Sequence, residues 1–121
     1  MCGIVCRFGH QIDNFEDSLS VIAHRGPDFA DKVTFNFSNS QQLDIGHVRL
    51  SILDLEERSN QPFTLDDEHY LAFNGEIYNY SDIKKNLELK GIKFTTNSDT
   101  EVLLQSYIYY GEKCLDMFNG F

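Results

Sequence analysis

An apolar run, Gly3-Ile4-Val5-Cys6-Arg7-Phe8, begins directly after Cys2, almost at the first residue of the chain. A short run of this kind reads as a buried strand. Such a strand holds the start of the chain rigid, and the side chain of Cys2 with it. The spacing then predicts a helix capped by Asn14, with Phe15, Leu19 and Ile22 sharing a face. It ends before His24-Arg25-Gly26-Pro27-Asp28, where adjoining Gly and Pro make a loop.

Val33, Phe35 and Phe37 alternate with Lys32, Thr34 and Asn36, the period of a strand with one wet face. Ser38 to Gln42 is a polar turn, Leu43 to Leu55 carries two apolar stretches around Arg49, and a polar loop from Glu56 closes at Gln61-Pro62. Tyr70 to Phe73 resumes as strand. Asn74-Gly75 lies between the apolar runs LAF and EIYNY, a strong hairpin signal. A helix is expected from near Ser81, with Ile83 and Leu87 on one face and Gly91 as a left-handed cap. Ser98-Asp99-Thr100-Glu101 has the form of a capping box, and Val102, Leu103, Ser106 and Tyr110 follow at helical spacing until Gly111. A last short helix covers Glu112 to Met117. The order strand, helix, several strands, helix, strand, helix predicts an α+β domain. Its end at Asn119-Gly120-Phe121, aromatic and without a charged tail, reads as a domain truncated on its C-terminal side.

The chain has 121 residues and carries 10 Lys and Arg against 19 Asp and Glu, a formal charge of −9, which argues against a nucleic-acid partner. With 41% hydrophobic and 13% aromatic residues it can bury the core of one domain, so disorder is not expected. No apolar run approaches the roughly 20 residues of a membrane helix. The first residues, MCGIVCRFGH, lack the basic start and long apolar stretch of a secretory signal, so a soluble, cytoplasmic protein with no membrane partner is expected. Cys2, Cys6 and Cys114 make an odd count with neither CxxC nor zinc spacing, and neither a metal site nor a disulfide framework is expected. The sequence contains no GxxxxGKS/T loop and no GxGxxG, so any ATP consumed must bind another domain.

Cys2 becomes the first residue once the initiator Met1 is removed, and a small second residue permits that removal. An N-terminal Cys then combines a nucleophile, a thiol of free pKa about 8.5, with its own base, an α-amine of pKa about 7.7 to 8.0. No histidine base is needed. Taken alone, Cys2 reads as a small apolar residue beside a strand.

After MCGI, four further segments follow in order: Arg25-Gly26-Pro27-Asp28, Gly46-His47-Val48-Arg49-Leu50-Ser51-Ile52, Phe73-Asn74-Gly75-Glu76-Ile77-Tyr78-Asn79-Tyr80, and Ser98-Asp99-Thr100-Glu101-Val102-Leu103-Leu104. With these the chain resembles, from Met1 to Phe121, the glutaminase domain of class II glutamine amidotransferases. These are N-terminal nucleophile hydrolases, and within them the resemblance is to the glutamine-dependent asparagine synthetases. Amidotransferases that make glucosamine phosphate or phosphoribosylamine share the leading Cys-Gly-Ile, but they usually carry Thr-Arg-Trp where this chain has Val48-Arg49-Leu50. The sequence has no Trp.

The resemblance implies a four-layer αββα sandwich, with two sheets between helical layers. It also implies residue roles. Arg49 would clamp the α-carboxylate of glutamine, for which a guanidinium offers a bidentate fork, although alone it reads as a solvated strand arginine. Asp99 would hold the α-ammonium, although alone it reads as a first-turn acid on a helix dipole. The side-chain amide of Asn74 and the backbone N–H of Gly75 would meet the tetrahedral oxyanion, and glycine suits close approach to backbone. Glu76 would help hold the glutamine, and backbone groups of Leu50, Ser51, Ile52 and Leu53 would line the site. Arg25 to Asp28 would pack beside the nucleophile as support. His24 and His47 have no assigned role, and Cys6 and Cys114 read as packing residues.

The implied reaction is attack of the Cys2 thiolate on the side-chain amide of L-glutamine, leaving a γ-glutamyl thioester that water hydrolyses to glutamate. The ammonia would pass to a synthetase domain of the parent enzyme, absent from this chain, where ATP and magnesium bind and an acceptor such as aspartate is amidated. No cofactor is expected in this domain itself, and a homodimer is a further expected assembly. The other reading is a non-catalytic, truncated glutamine-binding or protein-interaction module.

Overall fold

The structure is a computed structural model describing residues 2–10 and 14–121. The chain forms two units. The first takes the residues up to Ser51 together with Asn60–Pro62 and Ala72–Asn74; the second takes Ile52–Ser59, Phe63–Leu71 and Gly75–Phe121. Sheets and helices occur together, as expected of an α+β chain.

In the first unit β1 (Gly3–His10), β2 (Phe29–Asn36) and β3 (Gln41–Arg49) form an antiparallel sheet in the order β1-β3-β2. Gly3 stands opposite Val48, and Phe29 opposite Arg49. The helix α1 (Phe15–Ile22) lies on one face, where Phe15, Leu19 and Val48 are buried and Val5 and Ile22 pack against them. Gly46 permits this contact, because a Cβ there would lie 2.7 Å from Leu19 Cδ2 and 2.9 Å from Phe15 Cε1. Asn14 precedes α1 with φ 79° and makes no side-chain cap bond, so the expected capping by its side chain is not found.

On that same face Asp44, 1% exposed, accepts from Arg7 Nη2, Thr34 Oγ1 and Gln42 Nε2, each at 2.7 Å. Burial works to raise its pKa, but the bonds from Thr34, Gln42 and Arg7 outweigh it and hold the carboxyl below its usual value.

One strand expectation is corrected by this arrangement. β1 is an edge strand with one open face rather than a buried one: Gly3 is buried while Ile4, Cys6 and Phe8 are exposed. In β2 the polar alternates Lys32 and Thr34 lie on the α1 side, whereas Val33 and Phe35 share the other face with Ile45 and Leu43. Among the described residues no element of this unit covers that apolar face, where the Phe8 and Phe37 rings meet edge to face with centroids 5.9 Å apart. The expected alternation with one wet face is present in β2: Lys32, Thr34 and Asn36 are exposed, and Val33 and Phe35 are half-buried.

The second unit holds a two-stranded sheet, β4 (Phe63–Thr64) with β5 (Tyr70–Leu71), and two helices, α2 (Tyr80–Leu89) and α3 (Asp99–Tyr110). A 3-10 segment, Gly111–Met117, follows. Ile83, Leu87, Val102 and Ser106 are buried here as the sequence predicts, and so are Leu104 and Cys114, while the expected Leu103 and Tyr110 are only half-buried. Gly91 and Gly111 end the helices with φ of 90° and 64°, conformations that cost glycine little. Ser98 Oγ accepts the Glu101 N–H at 3.3 Å, half of the expected capping box. The other half differs: Glu101, fully buried, accepts from the N–H groups of Thr95 and Thr96 and so anchors the loop before the helix.

The Asn74-Gly75 hairpin is not formed. Tyr70–Leu71 pairs with Phe63–Thr64, and Glu76 and Tyr78 pair with Phe121 and Asn119 instead. Among the described residues no strand occurs between α2 and α3, contrary to the expected order. Leu50 to Leu55 is irregular, with Ile52 and Leu55 more than two-thirds exposed, at 71% and 73%.

Gly46→Ala is expected to destabilise the protein by about 1–3 kcal/mol through overpacking against Leu19 and Phe15. Urea unfolding measures this, and an unchanged midpoint would show that α1 moves aside freely.

Candidate active site

Cys2 precedes β1, and the pairing of β1 with β3 carries its half-buried side chain to the end of β3. Its sulfur accepts the Leu50 N–H at 3.4 Å, and its carbonyl accepts from Arg25 Nε at 3.0 Å. Met1, and with it the expected removal of the initiator, lies outside the described residues.

The segment Arg25 to Asp28 runs beside residues 48–51. Arg49 accepts the Asp28 N–H on its carbonyl at 3.1 Å, and Asp28 Oδ2 accepts the Ser51 N–H at 2.7 Å. Gly26 is required for this approach, since a Cβ there would lie 2.4 Å from the Val48 carbonyl carbon and oxygen. The segment therefore holds the backbone around Cys2, Arg49 and Ser51 and contributes no exposed nucleophile.

Arg49 is 5% exposed, not a solvated strand arginine, and its Nη1 donates to Asn60 Oδ1 at 2.7 Å. Asn74, in the same unit, is exposed, and among the described residues its amide has no hydrogen-bond partner. The residue before it is held from both sides: Gln61 Oε1 accepts the Phe73 N–H at 2.6 Å, and His47 Nε2 meets the Phe73 carbonyl at 3.2 Å. Sequence reading passed over Asn60 and Gln61, whose only signal was a polar loop ending in Pro62. It set His47 aside as a base, which agrees with a ring whose nitrogen is committed to a carbonyl.

His47 is fully buried. A carbonyl can only accept, so Nε2 carries the proton, and among the described residues Nδ1 is buried without a hydrogen-bond partner. A second proton there would be a charge with no acceptor. Burial accordingly pushes the ring down to about 4, against the pull of the Phe73 carbonyl, and the nearby Arg49 charge adds to the fall.

In the second unit Asp99 stands at the first turn of α3, 6% exposed, and its Oδ2 accepts the Ile77 N–H at 3.1 Å. Burial raises its pKa, opposed by the N–H groups of Ile77, Thr100 and its own backbone, with the Glu76 charge pushing the same way as burial. Gly75 is half-buried and Glu76 exposed, and Glu76 exchanges both backbone bonds with Phe121, at 2.9 and 3.1 Å. Ile52 and Leu53 also belong to this unit. The structure thus groups Cys2, Arg49, Leu50, Ser51 and Asn74 in one unit, and Ile52, Leu53, Gly75, Glu76 and Asp99 in the other.

The family model of the glutamine amidotransferase domain matches residues 1–121. The chain belongs to that family. This amidotransferase domain is 38% identical to the glutamine-hydrolysing asparagine synthetase 1 of Bacillus subtilis, over 99% of the chain and 20% of that protein. It is 36% identical to a putative glutamine-hydrolysing asparagine synthetase 2 of Methanocaldococcus jannaschii, over 99% of the chain and 26% of that protein. An amidase of Gibberella zeae is 39% identical over 90% of the chain and 16% of its own length. The chain therefore spans about a quarter or less of the length of these curated relatives. Among the described residues of the amidotransferase domain, no helix is long and apolar enough to cross a membrane.

The neutral His47 gives a pH dependence. Between pH 6.5 and about 4 the unfolded chain takes up a proton that the folded ring refuses. Stability is therefore expected to fall as pH drops through that window, by at most about 3 kcal/mol, and to be indifferent to this group above it. The difference in urea-unfolding free energy between wild type and His47→Gln, taken at pH 7 and pH 4.5, isolates the effect; a difference independent of pH would refute it.

Proposed function

We propose that the chain hydrolyses the side-chain amide of L-glutamine through a thioester on Cys2, releasing ammonia. The observation that carries this reading is the placement of the Cys2 sulfur 3.4 Å from the N–H of Leu50, the residue that follows the buried Arg49, in a chain that the glutamine amidotransferase domain matches throughout.

In this reading Met1 is removed, and the freed α-amine takes the proton as the thiolate attacks the amide carbon. The tetrahedral oxyanion is met by the Asn74 side chain and the Gly75 N–H. The amine returns its proton to the leaving nitrogen, ammonia departs, and water then releases glutamate. Arg49 holds the α-carboxylate, Asp99 and Glu76 the ammonium end, and the backbone of Leu50 to Leu53 lines the site. Asp99 is suited to a cation: burial disfavours its charge, and an ammonium alongside would restore it.

The relatives' names support a further step, delivery of the ammonia to an ATP-dependent amidation such as that of aspartate. The sequence shows no phosphate-binding loop, so ATP and magnesium are assigned to a separate synthetase domain. The finer architecture proposed is the αββα sandwich. The open apolar face carrying Ile4, Phe8, Val33, Phe35 and Leu43 is the surface on which a second sheet would lie.

Protein with Met1 removed is expected to convert glutamine to glutamate and ammonia, and Cys2→Ala to show no turnover above background. Asn74→Ala should lower kcat by roughly 100- to 1,000-fold, the usual cost of one oxyanion donor. Turnover by Cys2→Ala equal to wild type would sink the enzyme reading and leave a binding module.

A further inference from the structure

Three polar side chains in the first unit have no role in the proposed chemistry, yet each is bonded to a residue that has one or to its immediate neighbour. Gln61 and His47, 6% and 0% exposed, hold both backbone polar groups of Phe73, from 12 and 26 residues away in sequence. Phe73 directly precedes Asn74. One position before Gln61, Asn60 bonds the guanidinium of Arg49.

We infer that His47, Asn60 and Gln61 form one brace of positioning residues, which fixes the Arg49 guanidinium at one end and the backbone bearing the Asn74 amide at the other. The inference rests on the roles proposed for Arg49 and Asn74. Its physical basis is that a donor stabilises an oxyanion only if it is already in place when the charge develops. Asn74 is exposed, and among the described residues its amide has no partner of its own, so its aim depends on the residue before it. That residue is tied by the Gln61 acceptor and the His47 donor rather than by a sheet ladder: the regular pairing of β5 ends at Leu71. Only the Nε2–H tautomer of His47 can make the second tie. The bare, buried Nδ1 and the lowered basicity of the ring keep that tautomer neutral.

The two ends of the brace act at different stages. Arg49 meets the carboxylate in the bound substrate as well as in the transition state, so loosening it weakens binding. Asn74 meets charge only in the transition state, so loosening it slows chemistry. A merely structural role would lower the fraction of folded protein and leave the surviving sites unaltered.

The test is steady-state glutamine hydrolysis by the intact natural polypeptide. Active sites are counted by covalent titration of Cys2 with a glutamine-analogue electrophile, so that unfolded protein does not enter. His47→Leu and Gln61→Met are expected to lower kcat by roughly 30- to 100-fold with KM changed less than about threefold, the scale of a donor displaced by about 1 Å. His47→Gln, whose amide N–H can stand where Nε2–H stands, should recover to within about fivefold of wild type. Asn60→Ala should instead raise KM roughly tenfold at nearly constant kcat, as loss of uniform binding does. A readout that needs no turnover is the ring proton of His47 in a long-range proton–nitrogen spectrum, expected on Nε2 at pH 7. A proton on Nδ1, equal rates for His47→Leu and His47→Gln, or kcat and KM moving together in all variants would overturn the brace. Glutamine hydrolysis surviving in Cys2→Ala, or absent from wild type, would instead defeat the functional reading, and the brace with it.

Discussion

The antiparallel pairing of β1 with β3 is the constraint on which the proposed chemistry depends. Gly3 opposite Val48 sets Cys2 beside the chain that leaves β3, and the Leu50 N–H then reaches its sulfur. The same strand, β3, pairs with β2 on its other side, with Phe29 opposite Arg49. Arg49 is therefore buried at the end of a strand flanked on both sides, while Arg25 and Asp28 secure the backbone around it. A cysteine on a free terminus would have none of this, and its sulfur would sample solvent.

The helices were legible in the sequence because their signals are local. Ile83 and Leu87, the Ser98 cap, and the glycines at 91 and 111 act within a turn or two, and the chain folds as they indicate. Strand partners were not legible, because pairing is decided at a distance. Asn74-Gly75 has the composition of a tight turn, but its flanking runs find other partners, Phe63–Thr64 on one side and Asn119 to Phe121 on the other. The alternation in Val33 and Phe35 identified a strand with one wet face, but gave no sign that Thr34 on its exposed side would bond the Asp44 carboxylate across the sheet.

The candidate site divides in the same way. The residues proposed to touch substrate were named from the motifs that carry the resemblance. The residues that hold them were not, because Asn60, Gln61 and His47 are connected to Arg49 and Phe73 only through folding. An amide in a polar loop carries no sign in sequence of what it will bind. Burial likewise cannot be read from Arg49 or Asp99 alone, and it is burial that separates both from ordinary surface charges.

β1 carries apolar residues on both faces, Ile4, Cys6 and Phe8 on one and Val5 on the other, so hydrophobicity distinguishes its two registers poorly. A slip by one position would turn Cys2 toward the wrong side. Arg7 removes the ambiguity: only in the observed alignment does it reach the enclosed carboxylate of Asp44, and the slipped chain would leave that acid without its cation and a guanidinium among phenylalanines. An ion pair at the far end of the strand thus acts as a proofreading device for the proposed nucleophile, penalising misaligned chains whose greasy contacts would otherwise pass as native.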